Sequence, residues 1–182
     1  RRSILTEKLA RRGQHIAREY SVDPFELMRV GEVMETEIPT VPADLSLSDL
    51  SDRIAKGDPT VSRRQAVLVV SATGELEGII TRGDIMRHLQ TDRLQIKAFE
   101  AGRKELIVAH PDESLHSAVA KMLKYDVGRL PVVDRGDHRR IVGYLGRADI
   151  LAARLRGHEE EEVREKGPVL KTILKAPQIV GR

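Results

Sequence analysis

Cysteine is absent from the 182-residue chain, which excludes disulfides, thiolate nucleophiles and cysteine-ligated zinc. Aromatic rings are scarce as well: no Trp, two Phe and three Tyr. A reader of nucleic acid stacks bases on such rings and gathers cations on one face. Here 31 Lys and Arg are mixed with 28 Asp and Glu, for a formal charge of +3, so nucleic acid is not an expected partner. No apolar run approaches the ~20 residues of a membrane span, and no signal peptide is visible. The chain begins Arg1-Arg2-Ser3 without an initiator Met and reads as a piece of a longer protein.

What is present is aliphatic. Forty per cent of the residues are hydrophobic, and Val, Ile and Leu dominate the apolar runs, which suits buried strands under covering helices. The chain also repeats itself. Gly78-Ile79-Ile80-Thr81-Arg82-Gly83-Asp84 matches Gly143-Tyr144-Leu145-Gly146-Arg147-Ala148-Asp149 in its Gly, Arg and Asp. A β-branched run precedes each copy, Val67–Val70 or Leu130–Val133, and a turn joins run to copy, Ser71–Gly74 or Asp134–Asp137. Each pair of short strands reads as a β-hairpin.

A helix is expected before each hairpin. Ser46 and Ser114 are N-cap candidates, with Asp49 three residues after Ser46 as a capping-box partner. Leu47, Leu50 and Ile54, like Leu115, Ala118, Val119 and Met122, keep the spacing of a helix buried on one side. A second helix follows each Gly-led strand, with Ile85, Met86 and Leu89 or Ile150, Leu151 and Leu155. Each unit is strand, helix, strand, strand, helix over ~60 residues, too small to be comfortable alone. Two such units should share an apolar interface.

These residues resemble the CBS module (the cystathionine-β-synthase type repeat), and the tandem resembles the CBS pair. The family's Gly, Thr or Ser, and Asp at the strand-to-helix junction are met by Gly78, Thr81 and Asp84. Gly143 and Asp149 meet them too, with Gly146 where the hydroxyl would be. The resemblance implies an α/β (α+β) fold of two βαββα modules packed as a pseudo-symmetric pair. Module 1 would run from 30 to 95 and module 2 from 100 to 156, with a helical linker before and a tail at 157–182.

A second segment, Ser3–Gly13, with Lys8-Leu9 and Arg11-Arg12-Gly13, resembles the stretch that joins the last membrane helix of ClC-family chloride channels and transporters to a cytoplasmic CBS pair. It implies that residues 1–29 follow a membrane domain outside this chain, on the cytoplasmic side of the cell membrane. It also implies a homodimer, and regulation of chloride transport rather than an enzymatic reaction. The alternatives are a CBS pair of another host, such as a magnesium transporter or a nucleotide-metabolic enzyme, and a stand-alone interaction protein.

Ligand chemistry is expected at the junctions. Asp84 and Asp149 open helices, where a carboxylate can accept from a ribose diol and backbone N–H groups can meet phosphate. Arg82 and Arg147 could add forked donors, and Thr81 adds a hydroxyl that Gly146 lacks. By resemblance, the adenine of ATP, ADP or AMP would lie against Ile38 and Pro39 or Val108 and Ala109, and against the hairpin entries at Ala66 and Arg129. Both aspartates would also stabilise their helix dipoles by ~0.3–1 kcal/mol without any ligand. No cofactor is required on this reading. The six His show no metal-cage spacing, no catalytic motif is present, and the run from His158 to Glu162 reads as a solvated helix face or tail.

Overall fold

The computed structural model describes residues 23–157. The Ser3–Gly13 segment and the acidic run from His158 lie outside them. Two short helices come first, α1 (Pro24–Leu27) and α2 (Val30–Val33). The first repeat follows as β1 (Thr40–Pro42), α3 (Leu47–Ala55), β2 (Ala66–Val70), β3 (Leu76–Thr81) and α4 (Arg82–Gln90). After α5 (Ala98–Ala101), the second repeat contributes α6 (Leu115–Lys124), β4 (Arg129–Val133), β5 (Ile141–Gly146) and a helix α7 over residues 147–157.

The expected caps form. Ser46 accepts from the Asp49 N–H at 3.0 Å, and Ser114 from that of Ser117 at 3.1 Å. Each satisfies an N–H that the first helical turn leaves without a partner. Leu47 and Leu50, and on α6 Leu115, Ala118 and Met122, are buried. On α4 and α7, Met86, Leu89, Leu151 and Leu155 are exposed, while Ile85 and Ile150 are buried.

In the first repeat β1 runs parallel to β2, and β2 antiparallel to β3. The second hairpin, β4 with β5, is antiparallel in the same way. Its expected leading strand shrinks to one parallel bridge, Ala109 to Val132. Proline accounts for the loss. Leu68 donates its N–H to the Pro39 carbonyl at 2.8 Å, whereas Pro131, at the matching position, has no N–H to give. On its other side Pro131 faces Tyr144, whose backbone groups are both used elsewhere, so the hairpin loses nothing.

Chain order and packing are crossed. Val30, at the start of the expected first module, is buried with Leu115, Leu130 and Leu145 of the second repeat. Glu35 and Tyr144 exchange backbone hydrogen bonds of 2.8 and 2.9 Å. Reciprocally, Ala98 and Ala101 are buried against Val41, Leu47 and Ile80 of the first repeat, and Arg103 exchanges backbone bonds with Ile79. Each Gly-led strand thus gains an edge from a segment next to the other repeat. The repeats meet in an apolar seam of Leu68, Leu76, Val133 and Tyr144, with Ile38, Leu106 and Val108 against it. Each fully buried Leu in these clusters contributes about 1.5–3 kcal/mol of hydrophobic transfer free energy.

Candidate functional site

At the first junction β3 ends in Thr81 and α4 begins, and the two motif residues cap each other. Asp84 Oδ2 accepts from the Thr81 N–H at 2.9 Å and from its hydroxyl at 2.7 Å, while Thr81 Oγ1 accepts from the Asp84 N–H at 3.1 Å. Arg87 donates to the other carboxylate oxygen at 3.1 Å. Asp84 is only 2% exposed. The aspartate expected to meet a ribose is therefore consumed by its own helix in this state, with the Arg87 bond as the exchangeable one.

The second junction carries half of that cap. Asp149 accepts from the Gly146 N–H at 2.7 Å, and Gly146 has no hydroxyl to add. Asp149 stays half-buried next to Glu35, which itself pairs with Arg64. Burial, followed by the neighbouring Glu35 carboxylate, raises the Asp149 pKa above the ordinary aspartate value. Tyr144 crosses from the second repeat to the first, its hydroxyl donating to the Ala66 carbonyl at 3.4 Å. Burial pushes its phenol up to about 12.

An open cavity of about 370 Å³ adjoins the first junction, within the ~300–1,000 Å³ typical of small-ligand sites. Thr81 from the first repeat faces Leu106, Ile107 and Arg129 from the second across it. The structure thus brings together Thr81, Leu106, Ile107 and the Arg129 hairpin entry, whereas the expected Val108 is packed in the seam and Ala109 is fully buried. On the other side Ile38 packs in the seam, and Pro39 and Ala66 are buried.

The two arginines of the motif stand elsewhere. Arg82 donates to the carbonyls of Ser62 and Arg64, and the exposed Arg147 lies against Gly128. Sequence reasoning missed Arg103, Glu105, Tyr125 and Asp126, which also line the cavity. Asp126 had one local signal, since Asp tolerates the left-handed backbone (φ 49°) that ends α6. Arg103 had none, because its place depends on the crossed packing. Among the described residues no cluster of three or more His, Asp or Glu could hold a metal, and no helix is long and apolar enough to cross a membrane.

Comparison with known proteins adds to this geometry. The CBS domain family matches residues 30–91 and 98–156. An uncharacterized protein of Methanocaldococcus jannaschii is 30% identical over 68% of this chain, and an L-aspartate semialdehyde sulfurtransferase of the same organism is 39% identical over 45% of it. The matches span 38% and 15% of the length of those relatives. The crystal structure of the CBS domain pair of protein MJ0100, in complex with 5′-methylthioadenosine and S-adenosyl-L-methionine, has a TM-score of 0.59 at 30% identity. That likeness covers 72% of this chain and 98% of the other.

Proposed function

Because this chain belongs to the CBS domain family and carries two copies of the domain, we propose that it is a regulatory pair that binds an adenosine ligand in the cleft between its repeats. The observation that carries the proposal is the cavity itself: it opens at the one junction with a complete Thr81–Asp84 motif, and both repeats supply its walls. A ligand there contacts both halves of the pair at once. Occupancy then biases their relative arrangement, in proportion to the ligand's differential affinity for two arrangements. The adenosine ligands of the similar MJ0100 pair support this ligand class.

The host of the pair is a further part of the proposal. The sulfurtransferase relative supports an enzyme or another CBS-bearing protein over a chloride transporter. A ClC-type membrane domain, and the cytoplasmic face of a membrane as location, rest on the Ser3–Gly13 resemblance alone. A homodimer draws support from Met86 and Leu151, exposed at matching places on α4 and α7.

Isothermal titration of adenosine, 5′-methylthioadenosine, AMP and ATP into the full chain tests the ligand reading. Binding of any of them, weakened by Thr81→Val, is the expected result. Absence of heat from all four at millimolar concentration would refute it.

A further inference from the structure

The two junctions are built on matching registers but carry opposite charge at one matched position. Arg103 pairs with Ile79, the residue after Gly78, and Glu35 pairs with Tyr144, the residue after Gly143. Arg103 and Glu35 therefore occupy equivalent places beside the two motifs. The hairpin entries differ in the same sense: β4 opens with Arg129 where β2 opens with Ala66. The Thr81 junction gains two guanidinium groups at positions where the Asp149 junction has a carboxylate and a methyl.

A loop deepens the difference. Helices α3 and α6 both end on a residue with positive φ, Gly57 and Asp126. Eight residues then lead to β2, but only two lead to β4. The short connection leaves the cavity beside Thr81 open, and the long one packs on its own repeat and sends the Arg64 side chain toward the other junction. Val61 anchors it in the first core, Arg53 holds Asp58 at 2.7 Å, and Arg82 binds the carbonyls of Ser62 and Arg64. The loop delivers the Arg64 side chain to Glu35, beside Asp149.

We infer that the pair takes one anionic adenosine ligand per chain, at the Thr81 junction, with Arg103 and Arg129 receiving its phosphate, while the Asp149 junction is closed by the chain's own Arg64–Glu35 pair. This rests on the adenosine reading above and adds the charge class and the number of ligands. Neither Arg103 nor Arg129 has an ion-pair partner among the described residues, so both guanidinium forks are available to a phosphate. Glu105 and Asp126 also face the cavity. Their carboxylates suit hydroxyl donors of a ribose and oppose a phosphate placed on their side, which directs it toward the arginines.

The test is titration of AMP, and separately of uncharged adenosine, into the full chain at one fixed ionic strength. The expected result is one AMP per chain, bound tighter than adenosine. Arg103→Gln and Arg129→Gln should each weaken AMP at least tenfold and leave adenosine within about twofold. Two AMP per chain, or equal losses for both ligands in both variants, would overturn the inference. Adenosine bound as tightly as AMP would overturn it too, with the adenosine reading intact. If neither AMP nor adenosine binds, the inference fails, and the adenosine reading is decided by the four-ligand titration above.

Discussion

Thr81 and Asp84 satisfy each other across the first turn of α4, through three hydrogen bonds of 2.7–3.1 Å that include both backbone N–H groups. The motif is thus a structural cap before it is a ligand contact. Asp84→Ala leaves the half-buried Thr81 N–H and hydroxyl without their acceptor, a loss of about 0.5–2 kcal/mol. Asp149→Ala breaks one such bond and relieves a carboxylate pair, so it should cost less. Denaturant midpoints of the two variants give the comparison, and Asp84→Asn is the better variant for ligand work.

The raised pKa of Asp149 predicts a pH effect of definite sign. Its folded state holds the proton more tightly than the unfolded chain, whose ordinary value is 3.8. The stability this contributes is fully present below that value and is lost as pH rises through the folded pKa. Relative to Asp149→Asn, the natural chain should therefore weaken as pH rises above the ordinary aspartate value of 3.8. Parallel unfolding curves for the two proteins across that range measure it, and a constant difference would contradict it.

Tyr144 should be the phenol that resists base. With its pKa at about 12, its neutral form is favoured in the folded state, and the stability gained from this is lost only as pH rises through that value. Ultraviolet difference titration of the native protein should show a late ionisation step that Tyr144→Phe removes. The same variant frees the Ala66 carbonyl at the junction between repeats, at a cost of about 0.5–1.5 kcal/mol.

Two glycines permit close approach of the crossed segments. A Cβ on Gly102 would meet the Ile79 carbonyl oxygen at 2.8 Å, whereas one on Gly143 would run into the Met34 sulfur. The first obstacle is backbone within a paired edge, and the second is near the end of a flexible side chain. Gly102→Ala should be the more damaging, by about 1–3 kcal/mol, and Gly143→Ala the milder. Gly83→Ala, with nothing closer than 3.6 Å, should be neutral or stabilising through helix propensity. Thermal midpoints of the three variants rank them.

Much of the fold was legible because its signals are local. The Ser46 and Ser114 caps, the stripes on α3 and α6, and the Gly-led strands each follow from neighbours within a few residues. The site was less legible. Thr81 and Arg129, singled out from the motif, line the cavity, but Arg103 and Glu105 reach it through pairing between segments distant in sequence. Arg82 looked like a phosphate ligand because motif spacing says nothing of the loop that occupies its guanidinium. Periodicity alone does not distinguish the inner from the outer edge of an apolar stripe, so the exposure of Met86 and Leu151 was not legible.

The exchange of Val30 and Glu35 into the second repeat, and of Ala98 and Arg103 into the first, has a mechanical consequence. Tension entering the polypeptide from before residue 30 is borne first by the half that lies later in sequence. It reaches the earlier half through the chain leading into β1, through the Glu35–Arg64 pair and through the shared wall of Leu68 and Tyr144. Peeling Val30–Glu35 away would bare the flank of β5 and unseat Glu35 from Arg64 in one motion. A disturbance arriving from upstream is therefore delivered to the Asp149 side of the molecule before the Thr81 side registers it.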